Sequence, residues 1–110
     1  MNINKFQIDK QETETEYLFI ISGELDLSVA TQLRAALEPV VNEPEKTLIL
    51  DLKNLKYIDS TGIGIIISVL KIRDELNAKF FVREIPASIK RLLDLTGVSG
   101  FLKEGTEGGA

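Results

Sequence analysis

The run Thr47-Leu48-Ile49-Leu50-Asp51-Leu52 is apolar on both of its alternating faces, Asp51 excepted. A strand that offers water neither face belongs in the middle of a covered sheet, and sheets of that kind join parallel strands through crossover helices. The chain before it has the pieces to match. Tyr17-Leu18-Phe19-Ile20-Ile21-Ser22 is a second near-continuous apolar run, rich in aromatic and β-branched types, and reads as an interior strand. Between the two, Val29, Ala30, Leu33, Ala36, Leu37, Val40 and Val41 recur at the spacing of one helical face. Asp26 or Ser28 can supply the N-cap oxygen of that helix, Pro39 kinks or stops its last turn, and Asn42 to Lys46 reads as a loop. The sheet is therefore at least partly parallel.

The pattern continues downstream. Ile63, Ile66, Ile67 and Leu70 form one helical stripe and Ile65, Val69, Ile72 and Leu76 an adjoining one, leaving Ser68, Lys71, Asp74 and Glu75 for solvent. The β-branched content would also suit a strand, but the run to Asn77 is longer than common strands and its polar residues fall at helical intervals, which favours helix. Lys79 to Ile85 makes a further strand after an Asn-Ala turn. A third helix opens at Pro86-Ala87-Ser88, turns Ile89, Leu92, Leu93 and Thr96 inward and Lys90, Arg91 and Asp94 outward, and ends with Gly97 at C′. At the other end, Met1 to Asp9 alternates weakly as an edge strand would, and the polar stretch Gln11 to Glu16 joins it to the Tyr17 strand in an antiparallel pair. Lys53 to Tyr57 reads as a short connection whose Leu55 and Tyr57 fold back on the core. The expected fold class is α/β, a mixed sheet of four to five strands with crossover helices packed mainly on one face. Phe101 and Leu102 would pin a last turn, giving one domain over residues 1–102 and a flexible tail over 103–110.

Composition narrows the chemistry. With 110 residues, 44% of them hydrophobic, the chain can build a single core without metal or disulfide support. It has no Cys and no His, which removes disulfides, zinc-thiolate sites and thiol nucleophiles, and with them the commonest general base and metal ligand. Neither a metal nor a cofactor is expected. A net charge of -4, with acidic residues spread along the chain, argues against direct binding of nucleic acid or anionic membrane lipid and in favour of a basic protein surface as partner. No charged start followed by an apolar run opens the chain, and the longest apolar stretch, Ile63 to Leu70, is too short to span a bilayer. A soluble, cytoplasmic protein is expected.

In open sheets with parallel strands, sites gather beyond the carboxyl ends of those strands. Here that means Gly23 to Ser28 and Asp59-Ser60-Thr61-Gly62-Ile63-Gly64, two loops that can share one rim. The second places two hydroxyls at the first exposed backbone donors of a helix, where an added phosphate is well accommodated. A phosphate on Ser60 would add about -1.5 to -2 charges there, beside Asp26, Asp59 and Thr61 and the apolar Leu27 and Ile63. The plainer reading is that Asp59 or Ser60 caps the helix, that Gly62 and Gly64 let the chain turn tightly, and that Asp26 caps its own helix. The local sequence leaves both open. Lys90 and Arg91 read as a solvated helix face.

Three segments together carry a resemblance. Gly23-Glu24-Leu25-Asp26 after an apolar strand, Tyr57-Ile58-Asp59-Ser60-Thr61-Gly62-Ile63-Gly64 at the next helix start, and Ile89-Lys90-Arg91-Leu92-Leu93-Asp94-Leu95-Thr96-Gly97 in the third helix resemble the STAS family. Within it they are most similar to the bacterial anti-anti-sigma factors, or anti-sigma factor antagonists, of the general-stress and sporulation type. The resemblance runs from Met1 to about Leu102. It implies a STAS fold and a partner switch. The unphosphorylated protein would bind an anti-sigma factor that is also a serine kinase and so release the sigma factor. Phosphorylation would end that binding, and a PP2C-type phosphatase would reverse it. By position the resemblance makes Ser60 the acceptor and Thr61 the neighbouring hydroxyl, has Asp59 and Gly62 shape the loop, and puts Asp26 against the kinase. The partner-binding rim is then Asp26, Leu27, Asp59, Thr61, Gly62 and Ile63, with no catalytic residue.

Other readings compete with this one. A constitutive STAS scaffold subunit of a stress-sensing or transporter complex would need no phosphate cycle. A hydrolase using Ser60 as nucleophile would need a lysine or carboxylate base in place of histidine, and no lysine lies in either rim loop. Nucleotide binding is disfavoured because neither a P-loop nor a dinucleotide glycine pattern is present.

Overall fold

The structure, a computed structural model, describes residues 6–97. The expected contacts of Phe101 and Leu102 and the tail beyond them lie outside the described residues. In chain order the elements are β1 (Gln7–Glu12), β2 (Glu16–Leu25), a 3-10 turn (Leu27–Val29), α1 (Ala30–Val41), β3 (Thr47–Asp51), β4 (Leu55–Ile58), α2 (Ser60–Glu75), β5 (Phe80–Arg83) and α3 (Ala87–Thr96). The sheet runs β1-β2-β3-β5, with β4 paired to β2.

The long strand β2 is the template. It takes β1 antiparallel from Gln7 opposite Ser22 to Glu12 opposite Tyr17, and β3 parallel from Glu16 opposite Thr47 to Ile20 opposite Asp51. β5 joins β3 parallel, Leu48 opposite Phe80 and Asp51 opposite Arg83. Tyr17, Phe19 and Ile21, Leu48 and Leu50, Phe80 and Val82 therefore point to one face. There they form a single buried cluster with Leu33, Leu37 and Val40 of α1, Ile65, Ile66 and Val69 of α2, and Ile89 and Leu93 of α3. The mixed sheet and its crossover helices are those the sequence implied. Asp51, the polar exception on β3, is buried opposite Arg83, whose Nε donates to its Oδ2 at 3.1 Å, while its Oδ1 accepts from Lys53 N at 3.0 Å.

Several boundaries differ from expectation for identifiable reasons. β1 extends through Gln11 and Glu12, which read as a solvated connection, because an edge strand needs a backbone partner more than a buried side chain. The hairpin closes at Thr13, whose Oγ1 accepts from the backbone N–H groups of Thr15 and Glu16. Leu55 to Ile58, read as part of a connection, is a strand. Gly23 adopts a left-handed φ of 92° at a bulge between Gly23 and Glu24, which bends β2 so that its last residues pair with β4. Tyr57, expected to fold back on the core, lies 48% exposed on that strand. In α3 only Ile89 and Leu93 are buried, so Leu92 and Thr96 do not face inward as expected, and Leu76, at the C-cap of α2, is likewise at the surface. Gly97 ends α3 in the left-handed conformation with φ of 80°, as a C′ glycine does.

Candidate functional site

β2 and β4 end beside each other, Leu25 opposite Ile58, so the chain leaves the sheet at Asp26 and at Asp59 from neighbouring points. Both aspartates have extended backbone and both cap the helical element that follows. Asp26 Oδ1 accepts from Ser28 N at 2.9 Å and from Ser28 Oγ at 2.6 Å. Asp59 Oδ1 accepts from Thr61 N at 2.9 Å and Gly62 N at 3.1 Å, satisfying two of the donors that a helix start leaves open. For α2 the cap thus resolves to Asp59 rather than Ser60; Asp26 caps the 3-10 turn, and α1 itself begins after Val29 with no side-chain cap, so neither Asp26 nor Ser28 caps that helix as expected.

The two loops are also tied to each other. Asp59 N donates to Leu25 O at 3.2 Å, and Asp59 Oδ2 accepts from Leu27 N at 3.3 Å. One carboxylate therefore receives three backbone N–H groups drawn from both loops. Ser60 is the first residue of α2 and is exposed, with Thr61 partly exposed beside it. Leu27 stands 73% exposed on the same rim, beside the two carboxylates.

The remaining rim residues brace the surface from beneath. Gly62 is buried, and a Cβ there would come within 2.7 Å of both Ile58 Cγ1 and Leu25 Cγ and 3.0 Å of the Leu25 carbonyl oxygen. Its lack of a side chain is what lets the start of α2 sit against the ends of β2 and β4. Ile63 is 8% exposed and belongs to the core cluster. Of the partner-binding set taken from the sequence, Asp26, Leu27, Asp59 and Thr61 reach the surface, while Gly62 and Ile63 hold it in place. Among the described residues no three metal-ligating side chains come together, and no helix is long and apolar enough to cross a membrane.

The sequence matches the STAS domain family over residues 7–106. The chain belongs to that family. A relative from Staphylococcus epidermidis, an anti-sigma-B factor antagonist, is 30% identical over 109 residues, covering 97% of this STAS chain and 98% of the relative. Among solved structures, an anti-sigma factor antagonist from Mycobacterium paratuberculosis shares the fold with a TM-score of 0.82 at 21% identity, over 94% of this chain and 88% of that one. The Bacillus cell fate determinant SpoIIAA in its phosphorylated form does so with a TM-score of 0.69 at 19% identity, over 93% and 92%. The two solved structures thus share the fold of this chain, in which the Asp26 and Asp59 loops lie on one rim.

Sequence reasoning did not find two features of this STAS rim. The Asp59 to Leu27 bond joins residues 32 apart, and nothing local to either marks it. The exposure of Tyr57 is the second: along β4 the burial runs buried, exposed, exposed, buried from Leu55 to Ile58, so Tyr57 does not share the burial of Leu55.

Proposed function

We propose that this STAS protein is an anti-sigma factor antagonist that works by partner switching. Unphosphorylated, it binds an anti-sigma factor that is also a serine kinase, and the sigma factor is set free. Phosphorylation of Ser60 by that kinase ends the binding, and a PP2C-type phosphatase restores it. The protein is a cytoplasmic regulator, not an enzyme, and promotes sigma-dependent transcription without touching DNA. One observation carries the reading: Ser60 is exposed at the first position of α2, on a rim shared with the exposed Leu27. The name of the staphylococcal relative and the phosphorylated state of the Bacillus protein of like fold support it.

The rim has the chemistry for both halves of the cycle. Leu27 offers apolar area for burial, while Asp26 and Asp59 suit a basic partner surface. Thr61 lies beside Ser60 on the same turn, and Gly62 and Ile63 keep the turn seated. A phosphate on Ser60 meets the positive end of α2, which softens its cost to the fold, but it cannot be buried in an interface built for a neutral hydroxyl. The test is incubation with ATP and an anti-sigma factor kinase, followed by mass spectrometry of residues 59–71. A single phosphate on Ser60 is expected. Binding that persists with ATP, and no phosphate in that segment, would point to a constitutive scaffold instead.

A further inference from the structure

We propose, resting on the reading of Ser60 given above, that Asp59 is the positioning residue through which charge on Ser60 releases Leu27. The carboxylate has two duties on two loops. Its Oδ1 holds Thr61 N and Gly62 N at the start of α2, and its Oδ2 holds Leu27 N at the start of the 3-10 turn. Asp26 serves Ser28 within that turn and the Leu27 carbonyl accepts from Ala30 N, so Asp59 is what holds the N–H of the exposed leucine.

The competition follows from where Ser60 sits. It is the residue directly after Asp59, and the nearest helix-start donors to a phosphate there, Thr61 N and Gly62 N, are already taken by Asp59. A dianion drawn to the same donors repels the carboxylate and contends for its bonds. The Leu27 bond, at 3.3 Å the longest of the three, is the first to be given up. Phosphorylation then acts twice: it adds charge at the rim, and it loosens the loop that presents Leu27. The apolar contact and the charge switch are thereby one device.

Site-resolved amide exchange on the isolated, isotopically labelled protein tests this without any partner. Asp59→Asn keeps an acceptor oxygen for the α2 cap but turns an NH2 group toward Leu27 N, and Asp59→Ser keeps a capping oxygen too short to reach it. Both variants are expected to speed exchange at Leu27 about five- to tenfold, the worth of roughly one hydrogen bond, while Ser28, Thr61 and Gly62 stay close to their original rates. Ser60→Asp and the Ser60-phosphorylated protein are expected to speed Leu27 as well. The proposal is overturned if Leu27 exchange is unmoved in both Asp59 variants, or if it responds to them and not to charge on Ser60. A general rise across all four amides would also overturn it, since that is what simple loss of stability produces. Failure of the kinase to modify Ser60 would sink the partner-switch reading, yet the Ser60→Asp measurement would still decide the link between Asp59 and Leu27.

Discussion

Asp59 Oδ2 accepts the backbone N–H of Leu27 at 3.3 Å, joining residues 32 apart in the chain. Without that bond, the loop leaving β2 and the loop leaving β4 would be two adjacent caps. With it they form one surface, with a hydroxyl at Ser60, a hydrophobic side chain at Leu27 and a shared carboxylate between them. The proposed partner switch needs its contact groups and its modification site within reach of one another, and this bond ties the two loops that would carry them.

The switch predicts opposite behaviour for two substitutions at one position. Ser60→Ala is expected to bind the anti-sigma factor kinase about as well as the parent and to take no phosphate. Ser60→Asp is expected to bind at least about tenfold more weakly, because an unpaired charge placed in an interface costs on the order of kcal/mol. Calorimetric titration of both variants against the kinase checks this. Equal affinities would remove Ser60 from the docking surface.

Leu27→Ala separates binding from folding. The side chain is 73% exposed, so truncation should leave the unfolding midpoint nearly unchanged, within about 0.5 kcal/mol. If Leu27 is an anchor of the interface, the same change weakens binding by about 1–2 kcal/mol or more, roughly five- to thirtyfold. A variant with normal binding would make Leu27 a bystander of the rim.

Two glycines on the first turns of α2 should respond oppositely to one substitution. At Gly62 an added methyl would stand 2.7 Å from Ile58 Cγ1 and Leu25 Cγ and 3.0 Å from the Leu25 carbonyl, so Gly62→Ala forces α2 off the strand ends and costs about 1–3 kcal/mol. At Gly64 a Cβ meets nothing within 4 Å, so Gly64→Ala gains the ordinary helix preference of alanine and stabilises by about 0.5–1 kcal/mol. Urea unfolding of the pair gives the signs directly. A stabilised Gly62→Ala would mean that the contact around Gly62 is looser than the geometry states.

These cases show which parts of the structure were legible from sequence. The near-continuous apolar run from Tyr17 to Ser22 and the two-sided apolar run at Thr47 placed the central strands, because a strand covered on both faces keeps no period of two. The helices followed from their stripes, and the rim from the rule that sites lie past the ends of parallel strands. β4 was not legible: of its residues only Leu55 and Ile58 are buried, and its pairing depends on a bulge at Gly23 in a different part of the chain. The Asp59 to Leu27 bond was hidden for the same kind of reason, since a side-chain acceptor and a distant N–H leave no periodic trace. Arg73 did leave one. It falls four residues after Val69 on the buried face of α2, a position where a charged residue demands a local explanation.

That explanation is a set of backbone carbonyls. The Arg73 side chain is fully buried, and its guanidinium donates to Val41 O, to Glu43 O at 2.7 Å, to Lys46 O and to Lys79 O at 2.9 Å. One side chain thus joins the end of α1, the approach to β3 and the approach to β5, at the far end of α2 from Ser60. Arg73→Met fills a similar volume but leaves those carbonyls without their donors, so it is expected to destabilise by about 3 kcal/mol or more. Arg73→Lys should recover only part of the loss, because an ammonium is a compact point charge and lacks the planar fork that spans separated acceptors. Thirteen residues of helix put Arg73 about 20 Å from the rim, so whatever fraction remains folded should bind the kinase normally. Urea midpoints paired with binding measured well below the midpoint separate the two effects. An Arg73→Met protein as stable as the parent would show that these carbonyls find other donors, and one that is stable but fails to bind would place Arg73 in the path between the core and the rim.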